Sequence, residues 1–210
     1  MKYKAIIFDL DGVICHTDQY HYQAWKALTE RLHIPFDETI NNRLRGVSRM
    51  QSLNIILEKS KKQYTALEKE AFAEGKNKIY RNLLAGMTPD DLSDEVRKTL
   101  KALKSKGLKM AIGSSSKNTP IILHQIGLGD FFDAVSDGNN ITNSKPDPEV
   151  FLKASAMLNL APQECLVVED AVVGIEAASR GGFFSAAIGD AQTCKSATYV
   201  LHRFGDLLNI

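Results

Sequence analysis

The chain has 210 residues, 44% of them hydrophobic and 24% charged, which is the balance of a globular protein with room for one large domain or a medium domain carrying a smaller one. Its net charge of +1 supplies no bulk field toward nucleic acid or a membrane surface, so any affinity for anions has to come from a local cluster. Three widely spaced cysteines (Cys15, Cys165 and Cys194) with no Cys-x-x-Cys pair indicate neither a disulfide framework nor a zinc site, and they fit a reducing compartment.

The first predicted element is a strand over residues 5–10, Ala-Ile-Ile-Phe-Asp-Leu, whose short continuous apolar run suits a parallel sheet covered on both faces. The N-terminus, Met-Lys-Tyr-Lys-Ala-Ile-Ile-Phe-Asp9, turns acidic too soon for a signal peptide, and no apolar run approaches the ~18 residues of a membrane span, so a cytoplasmic protein is expected. Helical patterns follow at 21–32, 48–58 and 65–84. Two of these open on capping-box sequences, Ser48-Arg-Met-Gln51 and Thr65-Ala-Leu-Glu68. No strand is predicted among them, which marks residues 17–87 as an all-helical domain inserted into a core made of 1–16 and 88–210.

Beyond it, a helix is predicted over 94–106, with Ser93 as N-cap, Val96, Leu100 and Leu103 on one face and Gly107 as the stop. A strand at 108–112 precedes a helix opening at Thr119-Pro120, where proline suits the first helical position. Helices at 149–158 and 172–179 then alternate with strands at 166–168, preceded by Cys165, and at 184–188. Strands alternating with helices of this length form βαβ units, so the expected fold class is α/β, a doubly wound parallel sheet with an inserted all-helical cap domain. Such an insertion sits at the carboxyl ends of the strands, where open α/β sheets bind ligands.

Chemistry-bearing residues gather at those ends. The first strand runs into Phe8-Asp9-Leu10-Asp11-Gly12, and the turn that Gly12 permits separates the directions of the two carboxylates. One could attack phosphorus and the other move a proton, or both could be acids in a turn. Glu169-Asp170 ends another strand in the same way, either completing an all-oxygen site suited to magnesium or capping the helix that follows. Ser114, Ser115, Ser116, Lys117 and Asn118 form a hydroxyl-rich loop before a helix N-terminus, which is a phosphate cradle or a plain connector. Lys145 stands in Asn143-Ser-Lys-Pro-Asp-Pro148, a proline-stiffened loop that would aim an ammonium, or a solvated surface loop.

Taken in order, Asp9-Leu-Asp11-Gly12, Ser114, Lys145-Pro146 and Glu169-Asp170 resemble the four signature motifs of the haloacid-dehalogenase superfamily. That resemblance implies Asp9 as nucleophile, Asp11 as general acid/base, and Ser114 and Lys145 as holders of the transferring phosphoryl group. It also implies Mg²⁺ held by Asp9, the Asp11 carbonyl and Asp170, with Glu169 in support.

The insertion narrows the resemblance. The segment from Thr17 through His21 to Trp25, the loop Leu44-Arg-Gly46-Val47-Ser48-Arg49, and Lys76-Asn77 are similar to the corresponding parts of the β-phosphoglucomutase family. Singly they have plainer readings: Gly46 as a helix terminator, Arg49 and Lys76 as exposed helix charges, His21 and Trp25 as a core pair. As a set they suit a substrate with two phosphates, with Arg49, Lys117 and Asn118 on the one not reacting and Lys76, Gly46 and Val47 facing the sugar. His21 would then position Asp11, and Thr17 would be the hinge residue.

The family implies a mutase that interconverts β-glucose 1-phosphate and glucose 6-phosphate, with glucose 1,6-bisphosphate as priming intermediate. The alternatives are a sugar-phosphate phosphatase and a non-catalytic binding protein on the same scaffold. A monomer is the default expectation. Three places depart from the family pattern. Cys15-His16 stands where Thr-Asp is expected, removing a hinge-side carboxylate. Asp90-Asp-Leu-Ser-Asp-Glu lacks a Pro-Gly turn. Asp137-Gly-Asn-Asn140 is a turn-rich loop that puts the presentation of Lys145 in question.

Overall fold

The computed structural model describes residues 2–210. Six strands, β1 (Ala5–Phe8), β2 (Lys109–Gly113), β3 (Ala134–Ser136), β4 (Cys165–Glu169), β5 (Phe184–Ala187) and β6 (Tyr199–Val200), form one sheet of order β3-β2-β1-β4-β5-β6. Every pairing is parallel. The strand order reverses at β1, between β2 and β4, which opens a crevice at the carboxyl edge of the sheet.

Alternation along the strands sorts the core into two layers. Ile6, Phe8, Met110, Ile112, Leu166 and Val168 pack against α5 (Asp94–Ser105) and α6 (Thr119–Gln125), and the C-terminal Phe204 and Leu207 join the same layer. Ala5, Ile7, Ala111, Cys165 and Val167 face α7 (Glu149–Met157) and α8 (Val172–Arg180) on the other side. Both faces of β1 are therefore dry, as its uninterrupted apolar run requires.

Between β1 and β2 the chain forms α1 (Asp18–Leu32), α2 (Glu38–Asn42), α3 (Arg49–Leu57) and α4 (Ala66–Leu84), with no strand among the described residues. These helices share an apolar cluster of their own, built from Trp25, Leu28, Ile34, Ile40, Leu44, Leu53, Ile56 and Ala73. Ser48 and Thr65 cap α3 and α4 through the capping boxes expected of them. The chain returns to the sheet through a short turn whose Thr88 hydroxyl accepts from the Asp90 N–H. Ser93 then caps α5, so no Pro-Gly pair is needed there. No helix among the described residues is long and apolar enough to cross a membrane.

The differences from the sequence reading lie at ends and edges. β1 stops at Phe8 because the Leu10 carbonyl accepts from the Ile14 and Cys15 N–H groups, and Gly12 donates to the Cys15 carbonyl. This closes a tight loop in which Gly12 has φ +90°. α1 begins at Asp18, three residues before His21. β3, β6 and α2 are too short to carry a periodic pattern.

Ile7 is fully buried under α7 and α8, whereas Leu67 on α4 is 76% exposed. Ile7→Ala is expected to lower the unfolding free energy by about 2–5 kcal/mol, and Leu67→Ala to stay within about 0.5 kcal/mol of the parent. Urea unfolding followed by circular dichroism measures both.

Candidate active site

Register builds the site. Phe8 pairs with Ile112 on one side and Val168 on the other, so the next residues, Asp9, Gly113 and Glu169, emerge in one row at the sheet edge. The Asp9 N–H still donates to the Val168 carbonyl at 2.9 Å, which fixes the Asp9 backbone where the strand ends. Ser114 follows Gly113 and is held by its N–H on the Ser136 carbonyl at 3.1 Å.

Lys145 enters this row from the side, and its ammonium is buried. It donates to Asp9 Oδ1 and to Glu169 Oε1 and lies 4.8 Å from the centre of the Phe151 ring. Burial disfavours the ammonium, but the Asp9 and Glu169 carboxylates more than offset this and hold its pKa above the usual lysine range. Glu169 Oε2 accepts from the Ala171 N–H at 3.0 Å, so both of its oxygens are engaged.

The turn-rich loop before Lys145 proves ordered. Asn140 accepts from the Asp137 N–H and from the Ser136 hydroxyl, and the Asn139 amide donates to the Lys117 carbonyl. The Glu149 carboxylate accepts from the N–H groups of Thr142 and Asn143. The polar loop therefore braces both the serine loop and the lysine.

Asp9, Glu169 and Asp170 can each offer a carboxylate oxygen within 4.8 Å of the others, and all three are buried. Burial, with the charges of Asp9 and Glu169, pushes the Asp170 carboxyl up to about 8, while Arg45 works in the opposite direction. Anionic oxygens crowded this way favour a hard divalent cation, and the donor set fits Mg²⁺. The Asp11 side chain lies outside that cluster. Its oxygens accept from the Thr17 N–H at 2.8 Å and from the Thr17 hydroxyl at 2.6 Å. Burial, then the neighbouring Asp18 charge, raise the Asp11 carboxyl to about 7, close to what a proton carrier needs at neutral pH.

On the insertion side, Lys76 is 2% exposed, which rules out the reading of an exposed helix charge. Its ammonium lies over the rings of Trp25 (4.7 Å) and Tyr80 (4.4 Å) and is 2.8 Å from His21 Nδ1. Burial, then the Arg49 charge, lower the Lys76 pKa well below its usual value. Burial and the same cations also push His21 well below its usual value, so its imidazole is neutral. The other ring nitrogen, Nε2, lies 3.5 Å from Asp11 Oδ2. His21 also packs on Tyr80 with ring centres 4.0 Å apart, while Trp25 belongs to the helical cluster, so the two do not form a core pair.

Arg49 is half-buried on α3 and 3.5 Å from Glu74. Ser48 caps that helix, and the Asn118 amide donates to Asn77 Oδ1 at 3.0 Å across the two parts of the chain. Gly46 stands in the loop after α2 at φ +73°, where a Cβ would come 2.5 Å from the Val173 side chain of α8. It is a point of close approach between insertion and sheet domain, not a helix terminator.

Between the sheet edge and the insertion lies one cavity of about 1030 Å³. Of the residues named from sequence, Asp9, Asp11, His21, Trp25, Gly46, Val47, Ser48, Arg49, Lys76, Ser114, Ser115, Ser116, Lys117, Asn118, Lys145, Glu169 and Asp170 line it. Thr17 and Asn77 stand behind it, on Asp11 and Asn118 respectively. Sequence reasoning missed Asp18, which supplies a carboxylate at the junction where Cys15-His16 had suggested none. It also missed Arg45, which bonds to Asp18. The signal for Asp18 was its place in the first helical turn.

Gly12 joins the two acidic strand ends, since a Cβ there would lie 2.1 Å from Asp170 Oδ2. Gly12→Ala is expected to displace Asp170 and cost about 100-fold or more in turnover, the scale of an ångström-level misplacement. Gly107→Ala, at φ +79° with open space around the new methyl, should cost stability but little activity. Steady-state turnover with thermal melting distinguishes the two.

Residues 3–182 match the family model described as haloacid dehalogenase-like hydrolase. The chain is 41% identical over 206 residues to a β-phosphoglucomutase of Bacillus subtilis, covering 97% of this chain and 91% of that one. It superposes on the crystal structure of a β-phosphoglucomutase from Clostridium difficile with a TM-score of 0.92 and 39% identity, over 98% of this chain and 93% of that one. A phosphorylated carbohydrates phosphatase of Thermotoga maritima is 31% identical over 182 residues, covering 85% and 82%.

Proposed function

We propose, from the premise that this chain belongs to the haloacid dehalogenase-like hydrolases and within them to the β-phosphoglucomutase family, that it interconverts β-glucose 1-phosphate and glucose 6-phosphate. The observation that carries the reading is one cavity with cationic groups on both walls, Lys145 beside Asp9 on the sheet side and Arg49 with Lys76 on the insertion side. A substrate with one phosphate at the reacting carboxylate and another at the far wall matches that distribution.

In this reading residues 1–16 and 88–210 form the phosphotransferase core and 17–87 the cap that selects substrate. Asp9 carries the phosphoryl group, having first taken it from glucose 1,6-bisphosphate. The 6-hydroxyl of β-glucose 1-phosphate gives its proton to Asp11 and attacks the phosphorus on Asp9. The phosphorus–Asp9 bond breaks and a bisphosphate is left. After the bisphosphate turns around, Asp9 attacks its 1-phosphate, and Asp11 returns the proton to the departing O1, releasing glucose 6-phosphate.

Lys145 and Ser114 hold the transferring oxygens, while Arg49, Lys117 and Asn118 hold the idle phosphate. Trp25, Gly46, Val47, Ser48, Asn77, Ser115 and Ser116 shape the space around the sugar. His21, held by Lys76, and Thr17 orient Asp11. Mg²⁺ bound by Asp9, the Asp11 carbonyl and Asp170, with Glu169 in support, would neutralise the charge that builds on the phosphoryl oxygens. A monomeric, cytoplasmic enzyme completes the reading.

The phosphatase reading has one supporting observation, the Thermotoga maritima relative. The two are told apart by supplying β-glucose 1-phosphate, Mg²⁺ and a trace of glucose 1,6-bisphosphate, and measuring glucose 6-phosphate and free phosphate together, with the α anomer in parallel. Glucose 6-phosphate from the β anomer with little free phosphate is expected. Free phosphate as the main product would make the protein a phosphatase. Arg49→Ala is expected to reduce mutase turnover by about 100-fold or more while changing hydrolysis of a small phosphate monoester only a few-fold. Equal losses in both assays would remove Arg49 from the idle-phosphate site.

A further inference from the structure

Arg45 precedes Gly46 in the loop between α2 and α3, and its guanidinium sits among three carboxylates. One, Asp18 at 2.5 Å, belongs to the helical insertion. The other two belong to the sheet domain: Asp170, 3.4 Å from Nη2, and Asp190, bonded to Nη1. Among the described residues, these last two are the ion pairs of an arginine or lysine that cross from the insertion to the sheet domain.

Asp190 stands in the turn Gly189–Thr193 after β5. That turn is tied to the catalytic edge by the Ala191 N–H on the Asp170 carbonyl and the Ile188 N–H on the Glu169 carbonyl, at 2.8 and 2.9 Å. Arg45 therefore grips a rigid part of the sheet domain. The neighbouring backbone is pressed against the same surface. Gly46 approaches Val173 so closely that a side chain would collide, and its carbonyl accepts from the Ser115 hydroxyl at 3.4 Å.

We propose that Arg45 is a positioning residue that latches the helical insertion shut over the sheet domain through Asp190 and Asp170, so that a phosphoryl group on Asp9 goes to a sugar hydroxyl and not to water. The proposal rests on the functional reading above for its consequence, but the latch itself is a matter of interdomain contact. A planar fork suits the task because it bonds Asp190 and Asp18 through different nitrogens, which a lysine ammonium on a flexible stem does less well. Asp190 is 74% exposed, so its arm of the latch is salt-sensitive.

The experiment pairs product partition with hydrogen exchange on the full-length protein. Asp190→Asn removes the outer arm and should raise free phosphate relative to glucose 6-phosphate by about two- to fivefold, the range for one exposed ion pair. Arg45→Gln should raise it about tenfold, and Arg45→Lys should recover part of the loss. Combining Arg45→Gln with Asp190→Asn should add nothing to Arg45→Gln alone, because both remove the same bond.

Amides of Gly46, Val47 and Ser48 should exchange faster in each single variant. The parent's partition should drift toward phosphate as salt rises, and the double variant's should not. Unchanged exchange and unchanged partition in both Arg45→Gln and Asp190→Asn would overturn the latch. If the parent releases only phosphate, the mutase reading fails, and the exchange rates of Gly46 to Ser48 alone decide the latch, faster exchange supporting it and unchanged exchange ending it.

Discussion

The buried ion triad of Lys145 with Asp9 and Glu169 is the constraint on which the rest of this site depends. Parallel strands β1 and β4 run in register, so their terminal carboxylates are delivered to the same place whether or not their charges tolerate it. An ammonium buried between them makes that crowding tenable. Removing one member of such a group costs about 3–5 kcal/mol, because the survivors are left charged and desolvated. Much of the chain between Ser136 and Glu149 serves to deliver this lysine, through the Asn139, Asn140 and Glu149 contacts that brace its loop. Asp9 is thereby aimed by a backbone bond to β4 and a side-chain bond to Lys145 before any substrate arrives, which is preorganisation in the sense that matters for phosphoryl transfer.

The opposite wall follows a different logic. Lys76 is buried against Trp25 and Tyr80 without a carboxylate of its own, and Arg49 reaches only the exposed Glu74. Basic groups held in that way are short of negative charge, which in the proposed reading a sugar phosphate would supply. The same burial pushes His21 well below its usual pKa, and the ring bridges Lys76 through Nδ1 and faces Asp11 through Nε2. The helical insertion thus bears on Asp11, the acid/base residue of the proposed mechanism. Thr17 at the junction holds the Asp11 carboxylate with two bonds and joins Tyr80 at 2.8 Å, which ties Asp11 to α4.

Much of this was legible in the sequence because the strongest signals are local. Continuous apolar runs mark strands covered on both faces, capping boxes mark helix starts, and Asp9, Asp11, Ser114 and Glu169-Asp170 sit at or just past strand ends that any parallel sheet brings together, with Lys145 in a proline-stiffened loop. What escaped is non-local or short. β3 and β6 have three and two residues and lean on neighbours for their pairing. Arg45 finds Asp190 across 145 positions of chain, a pairing no spacing rule suggests. Lys76 could be read as an exposed charge or a site residue until its burial between two aromatic rings was seen, although Tyr80 four residues on was a cue to a shared face.

The central claim is that Asp9 is the phosphoryl carrier. It is tested most directly by mixing the protein with bisphosphate labelled in one phosphoryl group, quenching in acid within milliseconds, and locating the label by peptide mass analysis. The account predicts one labelled phosphoryl group on the peptide containing Asp9, absent in Asp9→Asn and discharged into bisphosphate when β-glucose 1-phosphate is added. A label on another residue, or catalytic turnover retained by Asp9→Asn, would contradict it.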